Sequence, residues 1–315
     1  MKTMGFEEFK NLVKESIIQW LPERFQEATI SFQVVTKNNN LRLTGMSIML
    51  PNKNIAPTIY LEGFFEKYQK GEAVEDILEQ IAKLQLDQEA EVNFDTACIT
   101  EYEQCKDKIY PRLISKEWNQ NLLENHPHIE MEDLAIIFYI DLNEAEKGSM
   151  TVKIHEGLVK NWNITVEELY DRAISNLKKD NAGIFRSMNE VLMEMMTADF
   201  IDICEGNEEE ARKMMESIPT ADNVMYVLSN INKIHGASVV LNNEMMERVI
   251  NTVGEAFFIL PSSVHELLIV PAKAHMQVED LKAMVYEVNS TQVCMEERLS
   301  NNVYTYSLKE GLKIA

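Results

Sequence analysis

The stretch from residue 224 to residue 272 constrains the fold of this chain more than any other. It contains short apolar runs separated by turns, at residues 225–228, 237–241, 257–260 and 267–270. Residues 244–253 show the spacing of an amphipathic helix, which ends at Gly254. Short runs rich in Val, Ile and Phe and bounded by Gly, Pro, Asn or Ser are typical of strands. The stretch therefore predicts a β-β-α-β-β unit.

The same order of two strands and a helix recurs along the chain. The segments are residues 30–69, 134–177, 225–253 and 257–288, and they share no residue identities. Because short turns join paired strands, we predict an α+β fold whose antiparallel sheets are built from β-β-α units with helices packed on one face. The polar residues around Pro127 break both kinds of regular element. We therefore predict two α+β domains, residues 1–125 and 126–315.

The net charge of the chain excludes some classes of binding partner. The 315 residues include 51 acidic and 30 basic side chains, which give a formal net charge of −21 at pH 7. Nucleic-acid backbones and anionic membrane surfaces both require basic patches, so we expect the protein to bind neither. A basic or mixed-charge protein is the kind of partner that this charge permits. No apolar run is long enough to cross a bilayer.

The cysteines show no spacing typical of a disulfide framework or a metal site. They are Cys98, Cys105, Cys204 and Cys294. Scattered thiols in a chain of this length are typical of a reducing compartment. The N-terminal residues form an amphipathic helical pattern and lack the apolar core of a signal peptide. We therefore expect a cytoplasmic protein, monomeric or a small homo-oligomer, without a metal or a cofactor.

One turn groups residues that could carry out hydrolysis. It contains Ser262, Ser263, His265 and Glu266. These side chains supply the nucleophile, base and carboxylate of a catalytic triad. Neighbours on one turn seldom reach triad geometry, and no G-x-S-x-G elbow is present. The same side chains can hydrogen-bond the backbone between two strands, and the sequence favours this structural interpretation over the catalytic one.

A second group of residues could bind a metal ion. His126 and His128 are flanked by Glu124 and Glu130. Alternate residues of an extended segment share a face, and histidine and glutamate are common zinc ligands. The sequence places no third strong ligand beside them, so a solvated loop explains these residues more simply.

Several segments resemble a known family. They are Asn54–Leu61, Leu134–Tyr139, Met225–Asn230, His235–Ala237, Ile259–Glu266 and Asn289–Val293. Together they are similar to a family of uncharacterised Gram-positive bacterial proteins, a domain of unknown function common in gut anaerobes. The second half also has a more distant similarity to the YtpQ family of uncharacterised bacillar proteins. The resemblance implies a cytosolic bacterial protein and assigns no functional residues.

No stretch of the sequence carries a specific catalytic or ligand motif. The residues favour a non-catalytic intracellular protein that acts by binding through an acidic surface. The first alternative is a hydrolase that uses Ser263, His265 and Glu266. The second alternative is a small-ligand pocket between the two halves, because domain interfaces commonly form such pockets.

Overall fold

The computed structural model describes residues 4–89, 95–142, 150–180, 182–203 and 225–315. The chain divides into two compact units, Met1–Ala97 and Cys98–Ala315. This division differs from the boundary that the sequence predicts at residue 125. The reason is that the strand Ile109–Ser115 pairs along its whole length with the strand Leu134–Asp141, so one sheet contains residues from both sides of that boundary.

The first unit contains a three-stranded antiparallel sheet. Its strands are β1 (Thr29–Thr36), β2 (Arg42–Met49) and β3 (Thr58–Tyr60), in the spatial order β1-β2-β3. The α-helices of the described residues in this unit are α1 (Phe6–Ser16), α2 (Glu62–Gln69) and α3 (Val74–Asp87). Apolar residues from α1, β2, β3 and α3 form one buried core, which includes Phe9, Ile48, Ile59 and Ile81. Burial of this apolar surface stabilises the unit.

The second unit contains two antiparallel sheets. The four-stranded sheet comprises β4 (Ile109–Ser115), β5 (His128–Met131), β6 (Leu134–Asp141) and β7 (Thr151–Lys153), with β4, β5 and β7 all paired to β6. The six-stranded sheet has the order β13-β12-β10-β11-β9-β8. Its strands are β8 (Gly183–Ser187), β9 (Tyr226–Asn230), β10 (Phe257–Pro261), β11 (Leu267–Pro271), β12 (Tyr304–Ser307) and β13 (Gly311–Ile314). The predicted α+β class with antiparallel sheets is confirmed.

The helices beyond residue 96 are short or of moderate length. They are α4 (Ala97–Thr100), α5 (Tyr102–Cys105), α6 (Gln120–Leu123), α7 (Glu156–Trp162), α8 (Val166–Asp180), α9 (Met188–Ile203), α10 (Asn243–Val253) and α11 (Val278–Thr291). Thr165 and Glu168 start α8 with a reciprocal capping box, in which each side chain accepts the backbone N–H of the other residue, at 3.2 and 2.8 Å. Among the described residues, no helix has both the length and the apolar character needed to cross a membrane.

The central strands of the six-stranded sheet are buried on both faces. Ile259 and Ile269 belong to the large core that also contains residues of α10 and of the four-stranded sheet. Leu260 and Val270 point to the opposite face and pack with Leu281 of α11. Burial on both faces explains why β10 and β11 appear in the sequence as continuous apolar runs.

One predicted strand is wrong. Residues 237–241 lie in a 3-10 helix, Gly236–Leu241, and not in a strand. An apolar run of this length does not distinguish a strand from a buried helical segment. His235 has a left-handed backbone, with φ of 52°, so the chain turns just before the run. The side chain of Asn242 then caps α10 by accepting the N–H of Glu244 at 3.1 Å.

A cluster of hydrogen bonds to Asp133 joins the two sheets of the second unit. Asp133, in the turn between β5 and β6, accepts hydrogen bonds from the Tyr304 hydroxyl at 2.7 Å and the Ser300 hydroxyl at 2.6 Å. The amide of Asn302 donates to the same carboxylate at 3.0 Å. Burial of the Tyr304 ring, followed by the charge of Asp133, raises the pKa of the phenol, which therefore stays protonated and donates.

We predict that Asp133→Ala lowers the free energy of unfolding by about 2–3 kcal/mol, because it leaves the buried Tyr304 hydroxyl without an acceptor. Urea denaturation measures the loss. The matched control is Glu132→Ala, which removes only an ion pair with the exposed Lys313 ammonium and should change stability far less. Equal losses of unfolding free energy in the two variants would contradict a stabilising role of the hydrogen bonds to Asp133.

Candidate functional site

The turn between β10 and β11 uses its serine hydroxyls for local hydrogen bonds. The Ser262 hydroxyl donates to Glu266 Oε1 at 3.3 Å. The Ser263 hydroxyl accepts the backbone N–H of His265 at 3.0 Å. A hydroxyl that bonds the backbone two residues later is a common way to stabilise a turn.

The ring of His265 is held by groups outside the turn. Its Nδ1 atom accepts the backbone N–H of His235 at 3.1 Å, so the ring proton lies on Nε2. Nε2 is 3.4 Å from Glu297 Oε1. A triad requires a serine hydroxyl at one ring nitrogen and a carboxylate at the other. Here a backbone amide occupies the place of the serine, and this geometry supports the structural interpretation of the turn.

The two histidines of the candidate metal site each bond a carbonyl oxygen. Nδ1 of His126 donates to the oxygen of Leu122 at 2.8 Å, and Nδ1 of His128 donates to the oxygen of His126 at 2.9 Å. Burial lowers the pKa of His126. Throughout the described ranges, no three His, Cys, Asp or Glu side chains come together in a way that could hold a metal ion.

A cavity of about 100 Å³ lies within the second unit. Strands β4 and β6, the end of α8 and the loop after β9 form its walls. Tyr110 and Tyr139 are cross-strand partners on β4 and β6, and their ring centroids are 6.1 Å apart. Polar side chains complete much of the lining: Asp141, Asp180, Asn232 and His235.

Asp180 is an exposed carboxylate that the phenol of Tyr110 holds at the cavity. The Tyr110 hydroxyl donates to Asp180 Oδ2. Burial of Tyr110, then this hydrogen bond and the charge of Asp180, raise the pKa of the phenol, which stays protonated as a donor. Within the part of the chain that the structure describes, Asp180 forms no ion pair.

Arg112 places a half-buried positive charge beside the same tyrosines. Its guanidinium lies 4.3 Å from the centroid of the Tyr139 ring, a cation–π contact. Burial lowers the pKa of Arg112, whereas Tyr139 and the charge of Asp141 raise it. The Nε atom of Arg112 is buried and has no hydrogen-bond partner among the described residues.

The loop that carries His235 is packed tightly against the turn at residues 261–266. A Cβ atom at Gly236 would lie 2.3 Å from Ser229 Oγ and 2.6 Å from the carbonyl oxygen of His265, so only glycine fits. The Ser229 hydroxyl donates to that same carbonyl at 2.7 Å. The N–H of Ala237 donates to the oxygen of Val264 at 3.2 Å. These contacts fix the loop on the turn.

His235 lies on the cavity wall as a neutral imidazole. Burial, followed by the positive charge of Arg112, lowers the pKa of His235 to about 2. Its Nδ1 atom is buried without a hydrogen-bond partner in the described structure. The left-handed backbone at His235 adds local strain, which often accompanies binding sites. An unsatisfied buried nitrogen on a strained residue indicates a place that a ligand can complete.

The cavity residues do not form a recognisable site in the sequence. Tyr110 and Arg112 interrupt the apolar pattern of β4 at alternate positions, and Tyr139 and Asp141 are the polar residues of a mainly apolar β6. This alternation places Tyr110 and Arg112 on one face of β4. Only the pairing of β4 with β6 shows that Tyr139 shares that face, and pairing between distant segments is not visible in a local pattern.

Comparison with known proteins gives a match to a family. A family profile described as "Family of unknown function (DUF5688)" matches residues 6–308. Neither a curated protein nor a solved structure matches the chain. The match extends over most of both compact units and assigns no activity to any residue.

We predict that Ser263→Ala and His265→Ala each lower the free energy of unfolding by about 1–2 kcal/mol, because each leaves a backbone N–H without its acceptor. Thermal and urea unfolding measure the change. Ser290→Ala is the matched control, since that exposed hydroxyl bonds only a carbonyl of its own helix. Unchanged or increased stability in both test variants would contradict the structural interpretation of the turn.

Proposed function

The chain belongs to DUF5688, a family of unknown function, and we propose that it acts by binding the basic side chain of a protein partner. The proposal assigns no covalent chemistry to the protein. One observation carries it: the carboxylate of Asp180 stands at a cavity beside two tyrosine rings and has no positively charged partner among the described residues.

The lining of the cavity suits an ammonium or guanidinium group. Cations bind favourably to carboxylates and to the faces of aromatic rings within about 6 Å. Arg112 already covers the ring of Tyr139, so the incoming cation is assigned to the side formed by Tyr110 and Asp180. The hydrogen bond from Tyr110 fixes the orientation of the carboxylate before the partner arrives.

The size and rim of the cavity support a side chain of a larger partner. A volume of about 100 Å³ is well below the 300–1,000 Å³ of typical small-molecule pockets. Ile231 and Ile234 belong to the same loop as His235, and they are 65% and 46% exposed. Exposed apolar residues beside a cavity favour contact with a protein surface. The net charge of −21 attracts basic partners over a longer range.

This proposal extends the partner that the sequence predicts, a basic or mixed-charge protein, to a specific place on the chain. The site lies within the second unit, and a pocket between the two halves stays a prediction.

The cellular compartment is part of the same proposal. Among the described residues, Cys98, Cys105 and Cys294 form no disulfide, which supports a reducing compartment such as the bacterial cytoplasm.

The test is an NMR titration of the whole chain with N-acetyl-lysine methylamide. The control probe is N-acetyl-norleucine methylamide, which has a similar aliphatic chain without the ammonium group. We predict saturable binding of the lysine probe alone, and a loss of affinity of about fivefold in Asp180→Asn, equivalent to one exposed cation contact.

The matched control variant is Asp280→Asn, which removes an exposed carboxylate in the first turn of α11. It should bind the lysine probe as the unaltered protein does. Equal binding of the two probes, equal effects of the two variants, or no saturable lysine binding would each overturn the proposal.

A further inference from the structure

β1 forms an edge of the three-stranded sheet, and among the described residues its outer side is unpaired. Its eight residues, TISFQVVT, include no charged residue, no proline and no glycine. Its register with β2 runs without a bulge from Thr29 opposite Met49 to Thr36 opposite Arg42. Edge strands usually carry charges, prolines or bulges that block further pairing, and β1 has none of them.

The backbone groups that face outward can be identified from the hairpin. The N–H of Lys37 donates to the oxygen of Leu41 at 2.7 Å. Because hydrogen-bonded positions alternate along an antiparallel pair, the odd-numbered residues of β1 are the ones bonded to β2. The even-numbered residues therefore direct their N–H and C=O groups away from the sheet: Ile30, Phe32, Val34 and Thr36.

We propose that two copies of this chain associate through β1, with the two strands antiparallel across a two-fold axis. Each copy carries a net charge of −21, so association of copies is favoured at a strand that adds no further negative charge. β1 has no charged side chain of its own, and the charge that lies over its Phe32 ring is the positive ammonium of Lys10. A basic peptide would find no carboxylate on this strand. A two-fold axis also lets one self-complementary edge satisfy both copies.

The side chains of β1 favour one register between the β1 strands of the two copies. When Gln33 lies opposite Gln33 of the second copy, all of the outward-facing residues pair with one another. Val34, which is 57% exposed, then lies opposite Phe32 of the second copy and is covered by its ring. Gln33 occupies a non-hydrogen-bonded position, where the two Cα atoms are about 4.5 Å apart.

Sedimentation equilibrium of the full chain tests the association. The expected particle has twice the 36.3 kDa mass of one chain at tens of micromolar protein. Val34→Pro removes an outward N–H that β2 does not use, so the single chain tolerates it, and the dissociation constant of the dimer should rise at least about tenfold. Val34→Thr keeps the N–H and the branched side chain, so it should change the dissociation constant little. A monomer at about 100 µM for the unaltered chain would overturn the proposal.

Oxidative cross-linking tests the register and does not depend on how Val34→Pro folds. Gln33→Cys should give a disulfide-linked dimer on a non-reducing gel, because the two thiols face each other. Ser31→Cys is the matched control on the same face of the same strand, and the two copies of residue 31 are roughly 13 Å apart along the strands. Equal cross-linking of the two variants, or none from Gln33→Cys, would overturn this register.

Discussion

The close approach of the Gly236 backbone to the turn at residues 261–266 is the constraint on which the candidate site depends. No side chain other than hydrogen fits at this position, because Ser229 Oγ and the His265 carbonyl stand where a Cβ would be. With the loop that carries His235 packed against the turn, His265 Nδ1 accepts the N–H of His235 and holds that residue on the cavity wall. The turn that resembles a catalytic triad in the sequence therefore packs against the loop that lines the cavity.

Local patterns encode much of the fold. Alternating or continuous apolar runs predicted β10 and β11, the spacing of residues 244–253 predicted α10, and the hairpin of β1 and β2 was also recognisable. The run at residues 237–241 was misjudged because burial on all sides gives the same apolar composition to a strand and to a 3-10 helix. The domain boundary could not be placed, because it depends on the pairing of β4 with β6.

The cavity could not be predicted for the same physical reason. Its residues come from β4, β6, α8 and the loop after β9, which are brought together only by long-range packing. Composition predicts only the sign of charge that a partner would carry, because −21 is a property of the whole chain. It could not indicate which carboxylate is free to bind a cation. Asp180 combines a place at the cavity with a hydrogen bond from Tyr110 and no ion pair to a described basic residue.

The most direct test of the account is an NMR titration of the His235 ring, assigned by comparison with His235→Gln. Burial on the cavity wall lowers the pKa from the ordinary value of 6.5 to about 2, so the ring signals should not move between pH 8 and pH 4.5. Since the unfolded chain protonates near pH 6.5, this residue should also make folding less favourable as the pH falls below that value. A titration with a midpoint near 6.5 would show an exposed ring and would contradict the packing of the loop on the turn.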